Sequence, residues 1–253
     1  MKTHYTHNYL LNPYHKVTVN LIGAGGTGSQ MLHSLARIDY ALYKLGHPGL
    51  QVTVFDDDIV TEANIGRQLF CLPDLGLNKA QVLTSRINSF FGISWDCEQS
   101  RFPNTDCPNA NITISCVDNV KSRIEIGKHL RNKDLRHSDE SKALYWLDFG
   151  NQTDRGQVIL GTIEKIEQPK SKQQTVKYLK SVDEYFDLSK VEDKESGPSC
   201  SLAEALSKQD LFINSALCQV GSALLWKLIT EGAITMQGAY LNLSTLNVNP
   251  INL

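Results

Sequence analysis

The chain has 253 residues, 41% of them hydrophobic and 21% charged, with a formal net charge of −2. That is enough material for a sizeable core, and it gives no electrostatic reason to expect nucleic acid or a membrane surface as partner. The six cysteines contain no C-x-x-C pair, no apolar run approaches a membrane span, and the opening MKTHYTHNYLLNPYHK lacks a signal-peptide core. The expectation is therefore a reduced, cytoplasmic protein.

In chain order, residues 1–16 are polar and aromatic and contain no arginine, which reads as a solvated N-terminal arm despite His4 and His7 at helical spacing. Residues 17–22 are dense in β-branched side chains and predict a buried strand. Gly23, Gly25, Gly26 and Gly28 follow at once, and Met31, Leu32, Leu35 and Ile38 then recur at helical spacing until Gly46-His47-Pro48-Gly49 stops the helix. A strand over 51–55 ends at Asp56 and Asp58, and a loop with one short helical turn leads on. Residues 78–91 predict a helix capped by Asn78, with Val82, Ile87 and Phe90 on its buried side. Strands are expected over 93–97 and 112–117, the second ending in Asp118-Asn119, and a helix over about 121–130 runs into a charged segment up to Ser141. Two further strands, 143–149 and 157–163, precede a polar stretch over about 164–199, which reads as a mobile crossing loop or a partner-docking segment. A strongly apolar helix over 211–229 reads as core or, around Trp226, as a dimer seam, and 238–248 reads as a last strand or hairpin. This order predicts an α/β, doubly wound, Rossmann-like and mainly parallel sheet with antiparallel C-terminal strands and a long polar crossover loop.

A strand, a glycine turn and a helix in succession give a G-x-G-x-x-G match its meaning. The first glycine permits the turn, the second lets backbone approach a phosphate, and the third lets helix and strand pack. The phosphate meets the free N–H groups at the helix start, and Asp56 stands where a carboxylate takes ribose hydroxyls. A dinucleotide dehydrogenase needs little more. Here, however, Asp58, Asn64, Arg67, Gln68 and Lys79 follow within about two dozen residues. A guanidinium fork and an ammonium suit a triphosphate better than a nicotinamide. Asp118 at a strand's carboxyl end faces the same crevice, and a carboxylate beside phosphates implies a bridging Mg²⁺. Singly, Arg67 reads as a surface ion-pair residue and Lys79 as a solvated lysine; jointly, in this order, they read as a site.

These residues resemble the ThiF/MoeB/HesA superfamily, bacterial relatives of ubiquitin-activating enzymes: Gly23 to Ser29, Asp56 to Gln68, Lys79, and Asp118-Asn119 with Arg123 match its motifs. The likeness is clearest over about 17–125 and resumes at Cys200. The resemblance implies a single adenylation domain over 1–253, with a nucleotide-binding half at 17–125 and a partner-binding half at 143–253. It also implies ATP- and Mg-dependent adenylation of the C-terminal glycine of a small ubiquitin-like or sulfur-carrier protein by a homodimer. Asp56 would hold the ribose, Asn64, Arg67, Gln68 and Lys79 the phosphates, and Asp118 the Mg²⁺, with Asn119 beside it. Cys200, after the crossover loop, would take the acyl group or pass sulfur; an ordinary thiol is the equal alternative. Relatives that bind zinc use two C-x-x-C pairs, absent here, so no zinc site is expected. The cysteine pattern and the N-terminus without arginine are similar to the ThiF-like proteins of PRTRC plasmid cassettes. An NAD-dependent oxidoreductase and a non-catalytic scaffold of the same fold are the competing readings.

Overall fold

The computed structural model describes residues 2–104, 107, 109–132, 142–190 and 202–253. Its elements in chain order are β1 (His4–Tyr5), α1 (Asn8–Leu11), β2 (Val17–Ile22), α2 (Gly26–Lys44), β3 (Leu50–Phe55), α3 (Lys79–Phe91), β4 (Asp96–Glu98) and β5 (Ile112–Ser115). There follow α4 (Val120–Leu130), β6 (Tyr145–Asn151), β7 (Arg155–Thr162), α5 (Val182–Tyr185), α6 (Leu202–Lys208), α7 (Ile213–Thr230), β8 (Ala233–Ile234), β9 (Met236–Asn242) and β10 (Asn247–Asn252).

Eight strands form one sheet in the order β10-β9-β7-β6-β5-β2-β3-β4. From β4 to β6 every neighbouring pair is parallel; β7, β9 and β10 extend the sheet antiparallel. Chain order runs outward in both directions from the β2–β5 junction, the doubly wound arrangement. Strand alternation divides the core between two faces. Val19, Leu21, Val52, Leu147 and Phe149 join the cluster that carries α2, α3 and α7. Ile22, Phe55 and Trp146 point to the other, with Phe102 and with Ile126 and Leu130 of α4.

Three expectations change. The N-terminal segment is not a solvated arm. His4 is buried, and its Nδ1 lies 2.7 Å from the Val176 carbonyl and its Nε2 3.0 Å from the Tyr145 hydroxyl. β1 pairs with β8, and Thr6 donates to the Leu228 carbonyl at 2.6 Å, so distant partners satisfy what looked like a solvent-facing polar run. Phe90 is 81% exposed, and Phe91 packs on the core in its place. The strand expected at 93–97 is only β4, because the Asn88 side chain brackets Trp95, accepting from its N–H at 3.0 Å and donating to its carbonyl at 2.9 Å. The apolar helix expected over 211–229 is α7, which packs on α2 and on β6 and β7 with Trp226 partly buried against that core, as the core reading had it.

The crossover stretch is anchored as far as it is described. Ile166, Leu179, Val182 and Leu188 are buried, and Val176 N–H donates to the Thr3 carbonyl at 2.9 Å. The C-terminal stretch is the hairpin β9–β10. No described helix is long and apolar enough to cross a membrane.

Candidate nucleotide site

The carboxyl ends of β2, β3, β5 and β6 open into a cleft of about 410 Å³, at the junction where chain order reverses, the place such sheets offer a ligand. Gly23, Gly25, Asp56, Arg67, Lys79 and Asp118 all line it.

The glycines divide by task. Gly23 turns the chain at φ +88°, and an added Cβ would lie 2.9 Å from the Cys116 carbonyl oxygen. A Cβ on Gly28 would overlap the Gly23 carbonyl, so this residue serves close packing of α2 on β2. Gly25 is different: the nearest atom to a Cβ there is Gln68 Nε2 at 3.9 Å, so its missing side chain leaves open cleft. It is also the N-cap of α2 and offers no side chain to the first-turn N–H groups, and that turn carries no acidic residue. An uncapped helix start beside an open glycine is an anion cradle.

Asp56 Oδ2 accepts from Ala24 N–H at 2.6 Å and Oδ1 from Asp58 N–H at 2.9 Å. Burial raises its carboxyl above the usual range, against the pull of the Ala24 N–H and of Lys79. Lys79 is buried with Nζ 2.8 Å from Asp58 Oδ2, whose side chain is 67% exposed. Asn78 holds this corner, its Nδ2 donating to the Asp56 carbonyl at 2.8 Å.

Arg67 and Gln68 come from the loop between β3 and α3, which contains the 3₁₀ turns Glu62–Asn64 and Leu72–Asp74. Arg67 Nη1 donates to Gln209 Oε1 at 2.6 Å. Its Nε and the Oε1 of Gln68 are buried without a hydrogen-bond partner, and burial lowers the Arg67 pKa. Asn64 is not on the cleft wall: its Oδ1 accepts from Thr61 N–H at 2.9 Å and closes the first turn.

Asp118 is exposed at the end of β5, and its Oδ1 accepts from Asn119 Nδ2 at 3.1 Å. Asn119 caps α4 through Ser122 N–H at 2.8 Å. Arg123 fixes the loop beneath, donating to the Val117 and Phe149 carbonyls at 2.7 and 2.8 Å and to Asp148 at 3.1 and 3.2 Å. Burial pushes the Asp148 carboxyl up, outweighing Arg123 and the Ser115 hydroxyl. Asp56, Asp57 and Asp58 form the one group among the described residues with three potential metal-ligand atoms within 4.8 Å of one another. Cys200 lies outside the described residues.

Beyond the motifs, the cleft also gathers Arg101, Asn151, Gln209 and Asn214. The last two lie more than 140 positions after Arg67, with no motif around them. The available signal was Asn214, an amide at the buried start of a largely apolar helix. Taken together, an open cradle, an uncapped helix start, a buried Arg67 Nε without partner and an acidic rim fit a nucleotide polyphosphate with its cation.

The sequence model of the ThiF family matches residues 10–207. No curated protein matches the chain. Among solved structures, E. coli MccB crystallised with MccA is similar at TM-score 0.60 and 16% identity, covering 97% of this chain and 65% of that one. E. coli MccB alone gives TM-score 0.60 and 17% identity over 97% and 63%. PaaA gives TM-score 0.56 and 14% identity over 93% and 64%. At such identities the likeness shows the fold, and this chain spans just under two thirds of the length of those structures.

Proposed function

This chain belongs to the ThiF family, and on that premise we propose that it is an ATP- and magnesium-dependent adenylyltransferase acting on the C-terminal glycine carboxylate of a small ubiquitin-like or sulfur-carrier protein. One observation carries the reading: an open glycine cradle at the start of α2 faces the same cleft as a half-buried guanidinium whose buried Nε is unpartnered. In support, a protein of this fold, MccB, is crystallised with a second molecule, MccA.

Each Asp56 oxygen accepts one backbone N–H and retains a second lone-pair site, so the carboxylate can take the ribose hydroxyls without giving up its own anchors. The first turn of α2, Arg67, Gln68 and Lys79 hold the phosphates; an ammonium has three donors, so Lys79 can keep Asp58 while reaching one. Asn64 contributes by setting the loop that carries Arg67. Asp118, steadied by Asn119 Nδ2, would hold Mg²⁺, which supplies charge neutralisation to the phosphates when bound. The acceptor carboxylate is ionised at neutral pH and needs no general base. Its oxygen attacks the α-phosphorus, the bond to the bridging oxygen breaks, and pyrophosphate leaves, while Arg67 and Lys79 stabilise the charge that gathers on it. A following transfer to Cys200 would exchange the acyl phosphate for a thioester with release of AMP.

The test is ATP–pyrophosphate exchange in the presence of a glycine-ended partner. The proposal expects exchange that needs both partner and Mg²⁺ and is lost in Asp118→Ala. No exchange despite bound ATP would favour the non-catalytic scaffold, and stabilisation by NAD alone the oxidoreductase. The family resemblance extends the proposal to a homodimer; light scattering that gives the mass of one chain at micromolar concentration would remove that part.

A further inference from the structure

We propose that Gln209 and Asn214 are positioning residues that aim Arg67 at the phosphate cradle, an inference that rests on the ATP reading above. Gln209 lies between α6 and α7, and Asn214 is in the first turn of α7. Gln209 Oε1 accepts two donors, Arg67 Nη1 at 2.6 Å and Asn214 Nδ2 at 2.9 Å. Asn214 is itself fixed: its Oδ1 accepts from Thr27 Oγ1 at 2.9 Å, in the first turn of α2, and from Asn151 Nδ2 at 2.6 Å, at the end of β6. Asn214 is 4% exposed. Gly26 makes its room, because a Cβ there would lie 2.5 Å from Asn214 Nδ2. The relay therefore runs from the glycine turn, through two amides, to the guanidinium.

The holder is neutral, and that distinguishes Arg67 from the other two cations that line the cleft. Lys79 faces Asp58 at 2.8 Å and Arg101 faces Glu125 at 3.6 Å. The structural arginines Arg86 and Arg123 also carry carboxylates, Asp74 at 2.7 Å and Asp148 at 3.1 Å. Among the described residues no carboxylate pairs with Arg67. An amide oxygen fixes the direction of a guanidinium without neutralising it, so the charge remains for an anion. One Nη1 donor is used, while Nε stays buried and unpartnered. The arrangement also makes the phosphate site sensitive to the α6–α7 junction, which follows the crossover.

Calorimetric titration of ATP with Mg²⁺ into wild type, Gln209→Ala, Arg67→Ala and the double variant tests the relay. Gln209 is half-buried, so its truncation keeps the test open even if Asn214→Ala, at a core position, fails to fold. The relay predicts about tenfold weaker binding in Gln209→Ala. It also predicts a double variant no weaker than Arg67→Ala, because Gln209 acts only through Arg67. Losses that add in full, or a Gln209→Ala protein within about twofold of wild type, overturn the relay and leave the ATP reading standing. A wild-type protein that takes up no ATP overturns both.

Discussion

Gly25→Ala and Gly28→Ala are the same chemical change three residues apart, and the structure predicts opposite consequences. At Gly28 the new methyl overlaps the Gly23 carbonyl. That carbonyl cannot move freely, because Gly23 N–H is bonded to the Phe55 carbonyl at 2.9 Å. Overpacking against fixed backbone costs about 1–3 kcal/mol or more; alanine in a helix returns roughly 0.5–1 kcal/mol. With the overlap at the upper end of that cost, a net loss of about 2 kcal/mol should lower the melting temperature by about 4–8 °C in a chain of this size. At Gly25 the methyl meets nothing nearer than 3.9 Å. The poorer N-cap costs about 0.5–1 kcal/mol, or about 2–3 °C. The methyl nevertheless occupies the cradle, so affinity for ATP should fall tenfold or more, about 1.4 kcal/mol. Differential scanning fluorimetry reads the stability and calorimetry the affinity. A Gly25→Ala protein that binds ATP like wild type would refute the placement of phosphate at this turn.

Three other outcomes follow from the same geometry. Arg123→Met leaves Asp148 buried without its cation; such a loss costs about 3–5 kcal/mol, which predicts a melting temperature lower by about ten degrees or more at neutral pH. The defect should shrink in acid as Asp148 protonates, and a drop of under about 2 °C would contradict the network. Burial depresses the pKa of His4, against the Val176 carbonyl, and that of His129 from the ordinary value of 6.5. The stability linked to them is fully present above 6.5 and is lost as pH falls from there towards the depressed folded values. Melting temperatures at pH 7.5 and 5.5 should therefore differ more in wild type than in His4→Gln/His129→Gln; equal slopes would remove the claim. Asp118→Ala removes an exposed side chain whose carboxylate accepts only from Asn119 Nδ2 among the described residues. Its melting temperature should stay within about 2 °C of wild type, equivalent to about 0.5 kcal/mol, while the Mg²⁺ dependence of ATP binding is lost; an unchanged Mg²⁺ dependence would place the cation elsewhere, for example on Asp56 to Asp58.

What the sequence made legible was local. A β-branched run, a glycine turn and a periodic helix determine one another within about thirty residues, and the cap at Asn78 lies where turn chemistry puts it. The alternation of strands and helices then fixed the doubly wound order and the side of the sheet that carries the cleft. What was illegible depended on distant partners. The polar N-terminal residues looked solvated because their acceptors, Leu228 and Val176, lie far along the chain. α3 was read one residue out of phase, Phe90 for Phe91, since adjacent aromatics give periodicity no way to choose. Gln209 and Asn214 have no local motif at all; only the folded chain brings them to Arg67. Asn64 shows the converse, a motif position whose Oδ1 turned out to close its own turn rather than line the cleft.

The central claim is that this cleft is built for a triphosphate. Titrating ATP with Mg²⁺, and separately NAD, into the same wild-type protein by calorimetry tests it most directly. The account predicts saturable binding of ATP that weakens when Mg²⁺ is chelated and when Arg67 is replaced by alanine, with no heat from NAD. Binding of NAD with no uptake of ATP would contradict it.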